Sequence, residues 1–262
     1  MASVLETTSH EIDRISAAAR PLRGATAYHT WTDLTFLHWR VPAHELAELL
    51  PDRLTIDTFD GDAWIGLVPF HLCNVRPWWS PAISCVSTFH ETNVRTYVHL
   101  DGRDPGVYFL SLDASKSLPV RWARWLWDLN YYRADMELDR SIRRVHYRSK
   151  RLWPGAAGPH TDVEVELGEL LNRDHPAIEP GRTEPGSLEE FLVDRYLLYT
   201  EKKDGTLLQG HVHHAPYSLR NVDVHRCDES LVAASGIDVH GPPESALFSE
   251  RVDVDVFSLR PV

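Results

Sequence analysis

Short β-rich runs separated by turn signals are the feature that most restricts the fold of this chain. From residue 25 onward, runs such as LTFLHWRV (34–41) and DVEVELG (162–168) alternate with Gly, Pro and Asp. Strands that follow one another without regular intervening helices favour an antiparallel barrel or sandwich over a βαβ architecture. The pattern therefore predicts an α+β chain that is mainly antiparallel β, with a few flanking helices.

Local signals predict the turns and the helix ends. Asp60-Gly61 is predicted to close a hairpin between residues 54–59 and 63–72, because Gly tolerates the positive φ of a tight turn. Ser187 and Glu190 form a capping box, which predicts the start of a helix. Further hairpins are predicted over 98–114, 132–152 and 196–214, and helices over 42–51, 119–129 and 187–196.

Charge, cysteine content and the N-terminus restrict partners and compartment. Residues 1–24 are interpreted as an N-terminal appendage, helical or flexible, before a single domain over 25–262. They carry acids and no continuous apolar run, so neither a signal peptide nor a membrane anchor is expected. A formal net charge of -11 opposes attraction to nucleic acid or anionic lipid. Three cysteines without a CxxC pair suit a reducing cytoplasm, so we expect a cytoplasmic protein with a small-molecule partner.

The most unusual strand is TFHETNVRTYV, residues 88–98. On a regular strand Glu91, Asn93, Arg95 and Tyr97 share one face with Phe89. Such a row is either a solvated sheet face or the lining of a polar cavity. The next strand, VYFLSLDA (107–114), favours the cavity.

In that second strand Val107, Phe109, Ser111 and Asp113 are predicted to share a face, which adds Ser and Asp to the polar row. Arg195 falls on the apolar stripe of the helix over 187–196. A buried guanidinium needs an anion or carbonyl groups, and Glu91 or Asp113 is the expected partner. A structural clamp is the favoured interpretation of Arg195, ahead of a substrate-carboxylate binder.

Common catalytic motifs are absent from the sequence, which contains no GxxxxGK[ST], GxGxxG, GxSxG or HExxH. His211 and His213 in GTLLQGHVHH resemble the opening of a cupin metal motif, because alternate residues of a strand project to one side. Tyr217 and Ser218 stand where that motif needs a glutamate. Exposed or hydrogen-bonded histidines are the favoured interpretation, a metal-dependent barrel remains an alternative, and no metal or cofactor is predicted.

Six blocks, taken in order, resemble the YqjF-like family, which is domain of unknown function 2071. They are LTFLHWRVP, LTIDTFDGDAWIGLVPF, ETNVRTYV, DPGVYFLSLDA, SLEEFLVDRYLLY and HHAPYSL, and the resemblance covers roughly residues 28–220. The family is similar to acetoacetate decarboxylase. The resemblance implies an antiparallel β-barrel or cone that encloses a pocket, often in a homo-oligomer.

Acetoacetate decarboxylase uses a Schiff-base lysine activated by a second lysine, with a glutamate and an arginine nearby. The resemblance implies that Glu91 matches the pocket glutamate and that Arg40 or Arg95 takes the place of the arginine. The strand that would carry the lysines has Ser111 and Asp113 instead, so a Schiff base is not expected. Lys116 is the lysine nearest in sequence to the polar strands.

These observations predict an enzyme of lyase, cyclase or isomerase type that uses acid/base chemistry on a carbonyl or carboxylate substrate. A non-catalytic small-molecule-binding barrel is the alternative. The predicted catalytic residues are Glu91, Asp113 and Arg95, and the predicted substrate-binding residues are Asn93, Tyr97, Ser111, Arg195, His214 and Arg40.

Overall fold

The computed structural model describes residues 12–82, 87–116, 131–153 and 158–262, and the helix predicted over 119–129 lies outside them. Within these ranges one sheet contains twelve strands: β1 Ala27–Val41, β2 Leu54–Ile56, β3 Ala63–Pro77, β4 Phe89–Leu100, β5 Arg103–Ala114, β6 Tyr131–Arg140, β7 Arg144–Trp153, β8 His160–Leu170, β9 Leu197–Glu201, β10 Leu207–His214, β11 Leu219–Glu229 and β12 Ser245–Pro261. The helices are α1 Ala43–Ala47, α2 Leu188–Val193 and two single 3₁₀ turns, Ser16–Ala18 and Ala233–Ser235. No helix in the described ranges is long and apolar enough to cross a membrane.

The strand pairings close two rings that share five strands. The sheet order is β10-β9-β5-β6-β7-β8-β11-β12-β1-β3-β4-β2, and β10–β12 and β5–β4 pair in addition. The shared wall is therefore β12-β1-β3-β4-β5. Strands β9 and β10 close one ring against it, and β6, β7, β8 and β11 close the other. Most pairings are antiparallel, as predicted, whereas β5 pairs in parallel with both β6 and β9.

Each ring has its own hydrophobic interior, because side chains alternate across the shared wall. The first interior, inside the ring closed by β9 and β10, contains Phe36, Phe70 and Tyr97 with α2. The second interior, on the opposite face of the wall, contains Leu37, Val94 and the inward residues of β7 and β8. The wall strands are consequently buried on both faces, which explains the nearly unbroken burial of β4.

The predicted hairpins β4–β5, β6–β7 and β9–β10 are confirmed. The predicted hairpin at Asp60-Gly61 is wrong, because the strands on either side of the turn do not pair with each other. Gly61 has the predicted positive φ, 87°, and Asp60 also has a positive φ, 51°, but the turn closes only the bridge between Phe59 and Asp62. Strand β2 pairs with β4 instead of β3. The turn itself was predicted correctly because it depends on neighbouring residues. The pairing of β2 was not, because it depends on residues distant in the sequence.

Helix α2 begins as its capping box predicts, and it ends early. The Glu190 amide donates to Ser187 Oγ at 3.2 Å, and Glu190 Oε2 accepts from the Gly186 amide at 2.6 Å. The last helical residue is Val193, three residues before the predicted end at 196. The carbonyl oxygens of Phe191 and Leu192 in the last turn accept hydrogen bonds from Arg195 and Arg95 instead of from the amides of a further turn.

The N-terminal segment from residue 12 packs against the rings. Arg14 pairs with the buried Asp57, and Arg20 pairs with Asp255 on β12 at 2.9 Å. His213 Nδ1 lies 3.1 Å from the Ala18 carbonyl oxygen. The described part of the predicted appendage is thus attached by specific polar contacts.

Candidate functional site

The polar row on β4 lines the first interior. Glu91, Asn93 and Arg95 are only 6%, 6% and 8% exposed, and Tyr97 is fully buried. Phe89 and Tyr97 belong to the first interior and Val94 to the second, so the predicted facing of this strand is confirmed. The row is part of an interior, and a solvated sheet face is excluded.

Glu91 is held as a neutral acid. Burial raises the pKa of Glu91 to about 8, against the hydrogen bond from Tyr131, which lowers it. The Tyr131 hydroxyl donates to Glu91 Oε2 at 3.0 Å. Burial also raises the Tyr131 pKa well above its usual range, so the phenol stays a donor. At neutral pH the carboxyl group therefore carries its proton.

Arg95 is a buried cation without a carboxylate among the described residues. Its Nη2 donates to the Leu192 carbonyl oxygen at 2.9 Å and to the Tyr97 hydroxyl at 3.4 Å. Its Nε is buried and has no hydrogen-bond partner in the described ranges. A buried charge normally has a counter-charge, so the guanidinium retains unused capacity for an anion.

Tyr97 links Arg95 to a histidine on β1. Its hydroxyl donates to the Leu192 carbonyl oxygen at 2.7 Å and lies 2.7 Å from His38 Nε2. Because the phenol hydrogen is already donated, His38 must donate from Nε2. Burial, with Arg95 nearby, lowers the His38 pKa well below its usual range, so this histidine is neutral. Gly66 leaves room for the ring, since a Cβ there would lie 2.8 Å from His38 Cδ2.

Aromatic rings line the first interior beside the polar row. They form a chain of contacts with centroids 4.6 to 6.1 Å apart: Phe70–Trp31, Trp31–His214, His214–Tyr196, His214–Tyr217 and Tyr217–Phe36. Phe36 in turn lies 5.5 Å from the Arg95 guanidinium. Phe70 pairs with Glu91 across β3 and β4. The rings therefore join both ends of the polar row.

His214 lies in this aromatic chain with one ring nitrogen unused. Its Nδ1 lies 2.8 Å from the Ala215 carbonyl oxygen, whereas its buried Nε2 has no partner among the described residues. Burial lowers the His214 pKa to about 4. The predicted substrate-binding residue His214 thus belongs to the same interior as Arg95.

Arg195 has a structural role, and its carboxylate partner is Asp57 instead of the predicted Glu91 or Asp113. Its Nη1 donates to Asp57 Oδ2 at 2.9 Å and its Nε to the Phe191 carbonyl oxygen at 2.7 Å. Neither Glu91 nor Asp113 neutralises it. Asp57 precedes the Asp60-Gly61 turn and was not among the predicted residues.

Asp113 and Ser111 lie in the second interior, so they do not join Glu91. The β4–β5 register shifts between the pairs Val94–Ser111 and Arg95–Phe109, which leaves Leu110 as an extra residue. A bulge reverses the facing of the residues that follow it. Asp113 pairs with Arg151, and Ser111 accepts a hydrogen bond from Ser235 Oγ at 3.3 Å.

Arg40 also lies outside the site. Its half-exposed side chain pairs with Glu244 at 2.7 Å and with Asp62 at 2.9 Å. His211 and His213 project away from the first interior, on the β10 face opposite Val212 and His214. The described residues contain no group of three metal-ligating side chains, so no third ligand for the cupin-like alternative lies among them.

Sequence reasoning missed several residues of the site. His38, Trp31 and Tyr217 were not selected, and Tyr131 was not connected with Glu91. A signal existed for His38, because Leu34, Phe36 and His38 alternate along β1 on the face of the first interior. Tyr131 had no such signal, since it reaches Glu91 from β6, which is separated from β4 by β5.

The two-ring fold resembles the solved structures of several enzymes. An acetoacetate decarboxylase-like enzyme from Sphingomonas wittichii RW1 has a TM-score of 0.60 and 10% identity over 92% of this chain and 94% of that chain. The enduracididine biosynthesis enzyme MppR complexed with pyruvate has a TM-score of 0.55 and 11% identity over 92% and 91%. The chain has the acetoacetate decarboxylase-like fold.

The sequence comparisons are more specific. The model of DUF2071, a family described as uncharacterized conserved protein, matches residues 28–253. Uncharacterized protein YqjF of Bacillus subtilis (strain 168) is 34% identical over 231 residues, which cover 88% of this chain and 90% of that protein. The chain belongs to the DUF2071 family, as the sequence blocks predicted.

Proposed function

We propose that this protein is an enzyme that binds a small oxo-carboxylate in the first interior and activates its carbonyl group by proton transfer, without a Schiff base. Arg95 binds the carboxylate. Glu91 acts as the general acid, and Asn93, Tyr97 and His214 orient the substrate. Enolisation, decarboxylation and dehydration all begin with such activation of a carbonyl group.

The observation that carries this proposal is the difference between Arg95 and two other buried arginines. Arg195 pairs with Asp57 and Arg151 pairs with Asp113, both at hydrogen-bonding distance. Arg95 has only a carbonyl and a phenol as acceptors in the described part of the chain. A carboxylate ligand would supply the missing counter-charge and the acceptor for Nε.

Glu91 has the protonation state that a general acid needs. A pKa of about 8 leaves the carboxyl protonated at neutral pH and able to donate to a developing oxyanion. Since Oε2 already accepts from Tyr131, Oε1 is the oxygen that would carry the acidic proton. Glu91 and Arg95 are four positions apart on β4, about 13 Å between Cα atoms, and both side chains lie on the face of the first interior.

The absence of an amine on this face supports chemistry without a Schiff base. The inward residues of β4 are Phe89, Glu91, Asn93, Arg95 and Tyr97. Of the chain's lysines, Lys150 projects outward from β7, and Lys202 and Lys203 lie at the β9–β10 turn. Lys116 follows the end of β5. A test is borohydride reduction in the presence of pyruvate or acetoacetate, with no mass increase expected on any lysine peptide.

Binding is tested by calorimetry with pyruvate, 2-oxobutyrate, acetoacetate and 4-oxopentanoate. MppR has been solved with pyruvate, which makes pyruvate a natural first probe. Arg95→Lys can still donate to Leu192 but loses the planar fork, so affinity should fall about tenfold or more. Arg148→Lys, on the outer face of β7, is the matched control and should bind as the wild type does. Equal affinities of wild type and Arg95→Lys would contradict the role of Arg95.

Proton transfer is tested by exchange of the protons next to the carbonyl group in D₂O, followed by NMR. Glu91→Gln is nearly isosteric and should slow exchange about 100-fold or more while the dissociation constant changes little. Binding that persists without exchange or turnover in the wild type would favour the non-catalytic binding protein instead.

A further inference from the structure

We propose that the ligand of the first interior carries a hydroxyl group that donates a hydrogen bond to His214 Nε2, in addition to the carboxylate held by Arg95. This inference rests on the proposed function, because it assumes that the ligand occupies the same interior. It narrows the substrate class from oxo-carboxylates to hydroxylated oxo-carboxylates.

The tautomer of His214 follows from its hydrogen bond. Nδ1 lies 2.8 Å from the Ala215 carbonyl oxygen, and a carbonyl oxygen can only accept. Nδ1 therefore carries the hydrogen. In a neutral imidazole the other nitrogen then presents a lone pair, so Nε2 is an acceptor.

This acceptor is deeply buried and unused. His214 is only 3% exposed, and its Nε2 contacts no donor among the described residues. An acceptor removed from water without a donor is costly, and native proteins rarely leave one in that state. Tyr196, Tyr217 and Trp31 surround the imidazole with their rings and do not donate to it.

The unused groups nearby have complementary chemistry. Arg95 Nε and Trp31 Nε1 are unpartnered donors, and Asn93 Oδ1 is an unpartnered acceptor within the described residues. Arg95 is near enough to oppose protonation of His214 electrostatically. A carboxylate can only accept, so a ligand with a carboxylate alone could pair with Arg95 Nε and would leave the acceptors Asn93 Oδ1 and His214 Nε2 unpaired. A hydroxyl group on the ligand can donate to His214 Nε2.

The test compares matched ligand pairs by calorimetry: pyruvate with hydroxypyruvate, and 2-oxobutyrate with its 3-hydroxy and 4-hydroxy derivatives. In the wild type one hydroxylated member should bind about tenfold more tightly than its parent, since a site built to bind a hydroxyl rejects the analogue without it. In His214→Phe, which keeps an aromatic ring between Tyr196 and Tyr217, this preference should fall to about twofold or less. His213→Phe, with its side chain outside the interior, is the matched control and should keep the preference.

The outcomes distinguish failure of the hydroxyl inference from failure of the proposed function. Equal binding of every pair, with affinity still dependent on Arg95, overturns the hydroxyl inference and leaves the proposed function intact. A hydroxyl preference that survives in His214→Phe also overturns the role of His214. Failure of all these carboxylates to bind overturns the proposed function and this inference together.

Discussion

Arg151 and Asp113 form a bidentate ion pair inside the second interior. Arg151 Nε donates to Asp113 Oδ2 at 3.0 Å and Nη2 donates to Oδ1 at 2.6 Å, and the side chains are 5% and 0% exposed. Burial raises the pKa of Asp113, and the hydrogen bonds from Arg151 oppose that rise. The Arg151 guanidinium also lies 3.6 Å from the centre of the Tyr132 ring. This geometry gives Asp113 a structural role.

Removal of one member of this pair should be strongly destabilising. We expect Arg151→Met to lower the free energy of unfolding by about 3–5 kcal/mol, because it leaves a buried carboxylate without its cation. Urea denaturation monitored by tryptophan fluorescence measures the change. The double variant Asp113→Leu with Arg151→Met should recover much of the loss, since two apolar side chains need no counter-charge. A folded Asp113→Asn protein that binds ligand normally yet lacks turnover would show that Asp113 is catalytic after all.

The stability of the protein should depend on pH through Glu91. Its carboxyl has an ordinary pKa of 4.5 and a pKa of about 8 in the folded chain, chiefly because of burial. Between these values the folded state holds a proton that the unfolded state has lost, so stability falls as pH rises. Relative to Glu91→Gln, the wild type should lose up to about 1.4 kcal/mol per pH unit over this window. Urea titrations at several pH values measure this, and parallel pH profiles for the two proteins would contradict the raised pKa.

Tyr97→Phe should destabilise the first interior without creating a large cavity. The substitution leaves His38 Nε2–H without its acceptor and removes a donor from the Leu192 carbonyl oxygen. We expect a loss of about 1–3 kcal/mol in the free energy of unfolding. Tyr28→Phe is the control, because the Tyr28 hydroxyl makes no hydrogen bond to a described residue, and it should change stability by less than about 0.5 kcal/mol.

Asp57 holds two arginines, one from α2's C-terminal end and one from the N-terminal segment. Arg195 is nearly buried, whereas the Arg14 side chain is 31% exposed. Asp57→Asn should therefore cost about 3–5 kcal/mol, since it leaves the Arg195 charge buried without a partner. Arg14→Gln should cost much less, because water screens the more exposed cation. Similar losses for both variants, measured by urea denaturation, would show that Arg14 contributes as much as Arg195.

Gly106 is required by the close approach of β5 and β9. A Cβ at this position would lie 2.6 Å from the Leu197 carbonyl oxygen, which is rigid backbone. Gly106→Ala should therefore cost about 3 kcal/mol through overpacking and should weaken the β5–β9 contact. Gly24→Ala provides the comparison, since a Cβ at residue 24 would meet nothing within 4 Å, and its thermal unfolding should match the wild type. Equal unfolding temperatures for both variants would show that the strands can separate at little cost.

The sequence correctly predicted which side chains of β4 share a face, but the same prediction was wrong for Ser111 and Asp113 on β5. The difference is a bulge in β5. Strand β4 keeps a period of two on the face that carries Glu91 and Tyr97, so counting along the chain was sufficient. The extra residue at Leu110 reverses the facing of Ser111 and Asp113. A bulge is stabilised by the neighbouring strands, and the residues within it carry no clear signal.

The sequence also did not predict the strand pairing that closes the ring around the first interior. It depends on β10 pairing with β12, which places Leu208 opposite Pro261 and His214 opposite Val254. Turn signals identify partners only between neighbouring strands, so this pairing has no local mark. The candidate His214 was selected, but its aromatic neighbours Trp31 and Tyr217 could not be assigned to it.

Because the shared wall β12-β1-β3-β4-β5 faces an interior on each side, the effect of mutations should alternate along its strands. Along β4, Glu91, Asn93 and Arg95 point into the first interior, whereas Thr92, Val94 and Thr96 point into the second. A saturation library over residues 89–98, sorted first for expression and then for ligand binding, should therefore show two interleaved profiles. Even-numbered positions would limit the yield of folded protein, and Asn93 and its odd-numbered neighbours would limit binding among the variants that fold. Selection for folding and selection for ligand binding would therefore act on alternate residues of the same strand.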